Sequence, residues 1–155
     1  EVAKKSSTKP SKVNIEKQQF NLKVDDEREF SLKKLATRKG QAGFRKTLLD
    51  KWENCCISGC NINSILEAAH IAPYRGVKDN HIQNGLILRV DIHRLFDSYM
   101  IGINPDDFTV ELCPELKESE YKPLEGKIIK NGDLLSNKAL LYRWQYFINN
   151  TAINQ

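Results

Sequence analysis

Apolar residues change their rhythm several times along the chain, and each change predicts an element. Residues 1–19 are rich in Lys, Ser and Gln, hold few apolar side chains and include Pro10. Such a stretch buries too little surface to fold by itself and predicts a flexible tail or linker. Residues 20–37 mix apolar and charged positions and follow neither the helical nor the strand period. From 41 to 53 the period becomes helical: Phe44, Leu48 and Trp52 recur at i, i+4 and i+8, with Leu49 beside them. This helix stops near Asn54, before a Cys-rich turn containing Gly59.

Past the turn the texture shortens. Residues 64–71 are a mainly apolar run carrying Glu67 and His70, which predicts a strand ended by Pro73. Residues 73–83 are polar and predict a loop. GLILRV at 85–90 predicts a second strand, and a short helix opens at Asp91 or Ile92 and runs through His93, Leu95, Phe96 and Asp97. Residues 99–112 predict a hairpin, with 104–107 as its turn. A long connection with Pro114 and Pro123 follows. Residues 134–149 predict a closing helix whose apolar stripe is Leu140, Leu141, Trp144 and Phe147.

Composition narrows the class. The 155 residues are 40% hydrophobic and 28% charged, ordinary values for a folded domain. They exclude a wholly disordered or collagen-like chain, and no apolar run approaches the roughly 18 residues of a membrane span. The expected organisation is a basic tail or linker over 1–37 and one folded domain over 38–150. The chain starts at Glu1 without a signal-peptide pattern, which suggests a processed or excised piece and a cytoplasmic setting. Charge is uneven. Residues 1–51 hold 14 Lys or Arg against 7 Asp or Glu, and residues 52–155 hold 10 against 13. A basic front suggests a polyanionic partner, and a solvated lysine-rich tail explains it equally well.

Cys55, Cys56 and Cys60 crowd together and Cys113 stands apart. Adjacent cysteines make a poor disulfide framework, so reduced, buried thiols are expected. A zinc knuckle would need a second ligand pair, which is missing.

The informative stretch is 67–97. It runs strand with His70, loop, Asn84, strand, then helix with His93. Taken singly, each residue has a plainer explanation: a satisfied buried histidine, a turn asparagine before Gly85, a histidine–aspartate hydrogen bond on a helix surface. Together, in this order, they carry the layout of an HNH nuclease. LEAAHIAPY at 66–74, NGLILRVDIHRLFD at 84–97 and RKGQAGFRKTLL at 38–49 resemble phrases of the HNH endonuclease family found among bacterial restriction nucleases, including modification-dependent ones. The resemblance extends over roughly 38–149. It implies an α+β fold: a ββα-metal (His-Me finger) core with flanking helices and an additional β-hairpin.

The implied activity is metal-dependent hydrolysis of DNA phosphodiester bonds, in bacterial restriction or phage defence. His70 is the implied general base, since a histidine near its ordinary pKa accepts a proton at neutral pH. His93 is the implied metal-binding residue. Asp97, four residues on, shares its helix face and makes a chelating pair. Asn84 is implied to orient His70 or its loop. One position departs from the family: the residue before the base, often a metal-binding Asp or His, is Ala69. Glu67 is then the nearest carboxylate on that strand and the third candidate ligand, with Asp91 also in reach. A His-plus-carboxylate set suits a divalent ion, magnesium first, with manganese, nickel or zinc also compatible.

Arg38, Lys39, Arg45, Arg75, Arg89 and Arg94 are the candidate contacts to the DNA backbone, and some of these charges are expected to be structural ion pairs. His81 is read as a surface loop residue. Further partners implied are an upstream recognition domain or partner chain, a homodimer if both strands are cut, and no membrane. The alternative is an HNH-fold module that binds nucleic acid without cutting it, favoured by Ala69.

Overall fold

The computed structural model of the chain describes residues 40–153; the tail expected over 1–37, together with Arg38 and Lys39, lies outside them. The first element is α1 (Gln41–Trp52), which buries Phe44 and Leu48 as its spacing requires. Gly40 starts it in the left-handed region, at φ 93°. Trp52 closes it by donating its indole N–H to the Gly85 carbonyl at 3.2 Å.

Two strands follow, β1 (Leu66–His70) and β2 (Gly85–Arg89). They pair antiparallel from Leu66 opposite Arg89 to His70 opposite Gly85. The first four residues of β2 are buried, so it runs through the core between layers instead of showing one face to water. Helix α2 (Val90–Asp97) leaves β2 with no loop and buries Ile92 and Phe96. These pieces make the expected ββα unit. A second antiparallel pair, β3 (Ile101–Ile103) and β4 (Val110–Leu112), is the expected hairpin, shorter than its apolar run.

Two glycines let helices come close. A Cβ on Gly85 would lie 2.6 Å from the Phe44 ring and from a Leu48 methyl, so α1 packs directly on the start of β2. A Cβ on Gly102 would lie 2.5 Å from the Phe147 ring, so the closing helix packs on the hairpin in the same way.

The long connection is not featureless. It contains a single helical turn, α3 (Pro114–Lys117), with Pro114 in the first helical turn where a missing N–H costs nothing. The closing helix α4 spans Asn137–Ile153, later than expected at both ends. Residues 132–134 form a 3-10 turn, and the Ser136 hydroxyl accepts the Ala139 N–H to start the helix. Its buried face also differs. Leu140, Arg143 and Phe147 are buried, Trp144 is half-buried and Leu141 is 44% exposed. Spacing at i, i+3 and i+7 selects an arginine for the interior, and an apolar stripe drawn from hydrophobic residues alone could not include it. Among the described residues, no helix is long and apolar enough to cross a membrane.

Candidate active site

Pairing of β1 with β2 puts His70 opposite Gly85, where α1 approaches. The Phe44 ring therefore lies under the His70 imidazole, 4.7 Å between centroids and 18° from parallel. Tyr74 closes in from the following loop at 5.3 Å. On its polar edge, His70 Nε2 lies 2.9 Å from Asn80 Oδ1. That contact holds the imidazole by its Nε2 edge.

Asn84 makes no hydrogen bond to the His70 side chain. It is buried, accepts the Ala72 N–H at 2.8 Å, and donates to the carbonyls of Ala72 and Asp79. One amide thus fastens the 71–84 loop at three points, and that loop carries Asn80. The expected orienting role reaches His70 through its loop, while the direct partner is Asn80.

His93 projects from the second turn of α2 between two carboxylates. Its Nδ1 is 2.7 Å from Glu67 Oε2, and its Nε2 is 3.3 Å from Asp97 Oδ2. Burial works to lower the His93 pKa, but hydrogen bonds and charge from Asp97 and Glu67 outweigh it, and the net shift is upward. Burial likewise raises the Asp97 pKa, but the bond to His93 and the charges of His93 and Arg143 reverse the sign and leave it below the usual value. Both carboxylates are about half exposed. Ala69 is fully buried in the core, a position without room for a solvated ligand.

Arg143 joins these pieces. It is only 5% exposed. Its Nε–H donates to the Ile71 carbonyl, Nη1 to the Phe96 carbonyl at 2.7 Å, and Nη2 to the His70 carbonyl at 3.0 Å. Nη2 is also 3.6 Å from Asp97 Oδ1, and the guanidinium covers the Phe96 ring at 4.0 Å. The end of the strand carrying His70 and the end of the helix carrying Asp97 are both tied to this one side chain. Glu67, His70, Tyr74, His93, Asp97, Tyr99 and Arg143 all line one cavity of ≈ 820 Å³, with Phe44 and Arg45 of α1 on its wall.

The remaining candidates divide by partner. Arg45 reaches the pocket but is engaged by the carbonyls of Leu66 and Asn63 and the Asn63 side chain. Arg89 grips Asp91 with two hydrogen bonds, at 2.6 and 2.8 Å, and Tyr121 donates to the same carboxylate. The Arg89 hydrogen bonds take the Asp91 pKa down to about 2 and tie Asp91 into that pair, away from His93. Arg75 and Arg94 are exposed, Arg75 at the rim beside the cavity. His81 is exposed and uses Nδ1 to accept the Gln83 N–H. The four cysteines are free thiols. The Cys55 sulfur accepts backbone N–H groups from Ser58 and Arg89, and burial pushes the Cys56 thiol up to about 12.

Residues 55–104 match the family model described as HNH endonuclease. The match contains Glu67, His70, Asn84, His93 and Asp97 in a strand–loop–strand–helix order that the structure reproduces. The match supports assigning this segment to the HNH endonuclease family. No curated protein matches the chain. HNH nucleases act on DNA and generally depend on a divalent metal. Arg143, which braces the HNH segment from α4, lies outside the matched residues. Asn80 lies inside them, in a loop whose polar composition carried no signal for it.

The donor set fits a divalent ion only in part. Among the described residues, no three His, Cys, Asp or Glu side chains converge as a ready cage. Glu67 and Asp97 sit at opposite ring nitrogens of His93, so the three cannot meet at one point without rearrangement. His93 Nε2 and Asp97 Oδ2 do fit as a pair. Their 3.3 Å separation is close to the roughly 3 Å between neighbouring vertices of an octahedron with bonds of about 2.1 Å. Glu67 fits a different role: a carboxylate on the second ring nitrogen fixes the tautomer and raises ligand basicity.

Proposed function

We propose that the chain is a metal-dependent DNA endonuclease whose nuclease domain covers 38–150, with His70 as general base. The observation that carries this reading is the convergence of His70 and the His93–Asp97 pair on one cavity. Asn80 holds the Nε2 edge of His70 and Phe44 stacks on its ring, which fixes the imidazole in the orientation from which it would take a proton from water. Glu67 holds the Nδ1 proton of His93, which turns Nε2 toward Asp97. A bound divalent ion, held by His93 and Asp97, would supply positive charge for the phosphate and its leaving oxygen. Two protein donors suffice for magnesium, which keeps several waters and takes further oxygens from the substrate phosphate. Arg45 on the cavity wall and Arg75 at the rim supply positive charge for the DNA backbone, and the exposed Arg94 adds a further candidate contact. The phrases shared with restriction nucleases support a setting in bacterial restriction or phage defence.

The test is plasmid nicking by the unsubstituted chain, His70→Ala and Asn80→Ala, each with magnesium, manganese, nickel or excess chelator. Metal-dependent cutting that is lost in His70→Ala and reduced about a hundred-fold in Asn80→Ala is expected, the size of a general-base contribution. Retarded DNA with no cutting under any metal would replace the endonuclease with a binding module. The buried Ala69, which leaves the strand without an adjacent ligand, favours that second reading.

A further inference from the structure

Beside the cavity lies a run of aromatic rings that the hydrolytic chemistry does not use. Tyr99 lines the cavity with His93 and Asp97. Its ring stacks on Tyr146 at 5.3 Å and 22°. Tyr146 meets Tyr142 one helical turn back, at 5.0 Å, and the two hydroxyls are 3.3 Å apart. The Arg75 guanidinium closes the run, 3.4 Å from the Tyr142 hydroxyl and 5.9 Å from its ring. The rings therefore lead from the candidate active site to a second groove of ≈ 450 Å³ lined by Arg75, Lys78 and Lys138. Pro73 lines both hollows, so the two are neighbours.

Two features set this run apart from an ordinary helix-surface pair. Tyr99 stands just past the end of α2 with φ 55°, the left-handed position where glycine is the usual residue. A bulky side chain there costs stability, and the Arg143 guanidinium, 5.1 Å from the ring, helps to hold it. Tyr146 is 44% exposed despite its ring partners, so part of the side chain stays accessible to a ligand.

We propose that Tyr99, Tyr142 and Tyr146 form a stacking platform for unpaired DNA bases, with the strand's phosphates in the groove of Arg75, Lys78 and Lys138. Aromatic rings beside a cationic groove are what single-stranded DNA needs: a π surface for a base and positive charge along its backbone. Duplex DNA hides its base faces and gains nothing from the rings. The platform deepens the endonuclease reading and rests on it for the choice of DNA: the preferred substrate is DNA with an unpaired strand next to the cut phosphate.

Binding is measured by fluorescence anisotropy in excess chelator, so that no strand is cut. The probes are a blunt duplex and the same duplex extended by a single-stranded arm. The unsubstituted chain should prefer the armed probe. Tyr146→Ala should weaken the armed probe at least about five-fold and leave the blunt one unchanged, while Tyr146→Phe keeps both. Arg75→Ala should weaken the armed probe and shallow its salt dependence by about one ion. Equal loss on both probes, or no loss on the armed probe, would overturn the platform. A 2-aminopurine in the arm gives a readout without substitution: quenching on binding is expected, and unchanged emission would overturn the stacking. Cutting is scored separately with metal. Its absence removes the endonuclease reading, while the platform stands or falls on the binding result.

Discussion

Arg143 holds the candidate active site together, and its removal has a calculable cost. Arg143→Met keeps most of the side-chain volume and deletes the guanidinium. Three backbone carbonyls, of His70, Ile71 and Phe96, then lose a charged donor in a nearly water-free place. Phe96 keeps a second donor, the Tyr99 amide at 3.1 Å, so the full penalty falls on the other two. At about 1.5–3 kcal/mol for each bond to a charged group, the expected loss is about 3–6 kcal/mol. That is a large share of the 5–15 kcal/mol typical of a whole domain. Arg143→Lys keeps the charge but not the planar fork, so it should lose about half as much. Urea unfolding followed by tryptophan fluorescence measures both.

The same variant separates support from site geometry. Arg143 ties the strand end that carries His70 to the helix end that carries Asp97. A shift of an ångström between them should cost about a hundred-fold in rate at saturating DNA, with KM for DNA little changed. Arg143→Lys, assayed at a temperature where unfolding curves show it folded, tests this. A loss below about 1 kcal/mol in Arg143→Met would refute the clamp, because two orphaned buried carbonyls cannot cost so little.

Two further outcomes follow from distances in the same region. Glu67→Gln removes the carboxylate from His93 Nδ1 and should weaken metal activation of nicking about ten- to a hundred-fold while leaving thermal stability nearly intact, as read from metal titrations beside melting curves. An unchanged metal midpoint would remove Glu67 from the site. Gly85→Ala places a methyl 2.6 Å from Phe44 and Leu48, and should cost about 1–3 kcal/mol in urea unfolding as α1 is pushed off β2. Because Phe44 supports the His70 ring, nicking should fall as well, and full activity with unchanged stability would contradict the packing.

Elements decided by neighbouring residues were legible. The i, i+4, i+8 stripe of Phe44, Leu48 and Trp52 placed α1 to within a residue of its end. Pro73 and the polar run after it separated two strands, and the short helix expected from Asp91 or Ile92 starts one or two residues earlier, at Val90. The ends of α4 were less legible, because Leu134 and Leu135 extend the apolar pattern into a 3-10 turn that only Ser136 ends. His70, His93 and Asp97 were readable as an ordered set of candidates, and the structure gathers them around one cavity. Whether Glu67 faces the same ring nitrogen as Asp97 or the opposite one is a matter of which edge of an imidazole each strand and helix presents, and no spacing encodes it.

Periodicity, turn residues and the order of the three chemical residues were thus written in the chain itself, since all of them depend on neighbours within a few positions. Tertiary structure alone decided the rest. Asn80 meets His70 only because Asn84 folds the loop back. Arg143 reaches its carbonyls across 47 to 73 residues of sequence. A buried arginine gains its place by satisfying backbone groups that no other side chain can reach. Those groups face one another only after β1, α2 and α4 have packed, so no local pattern can announce the residue that joins them.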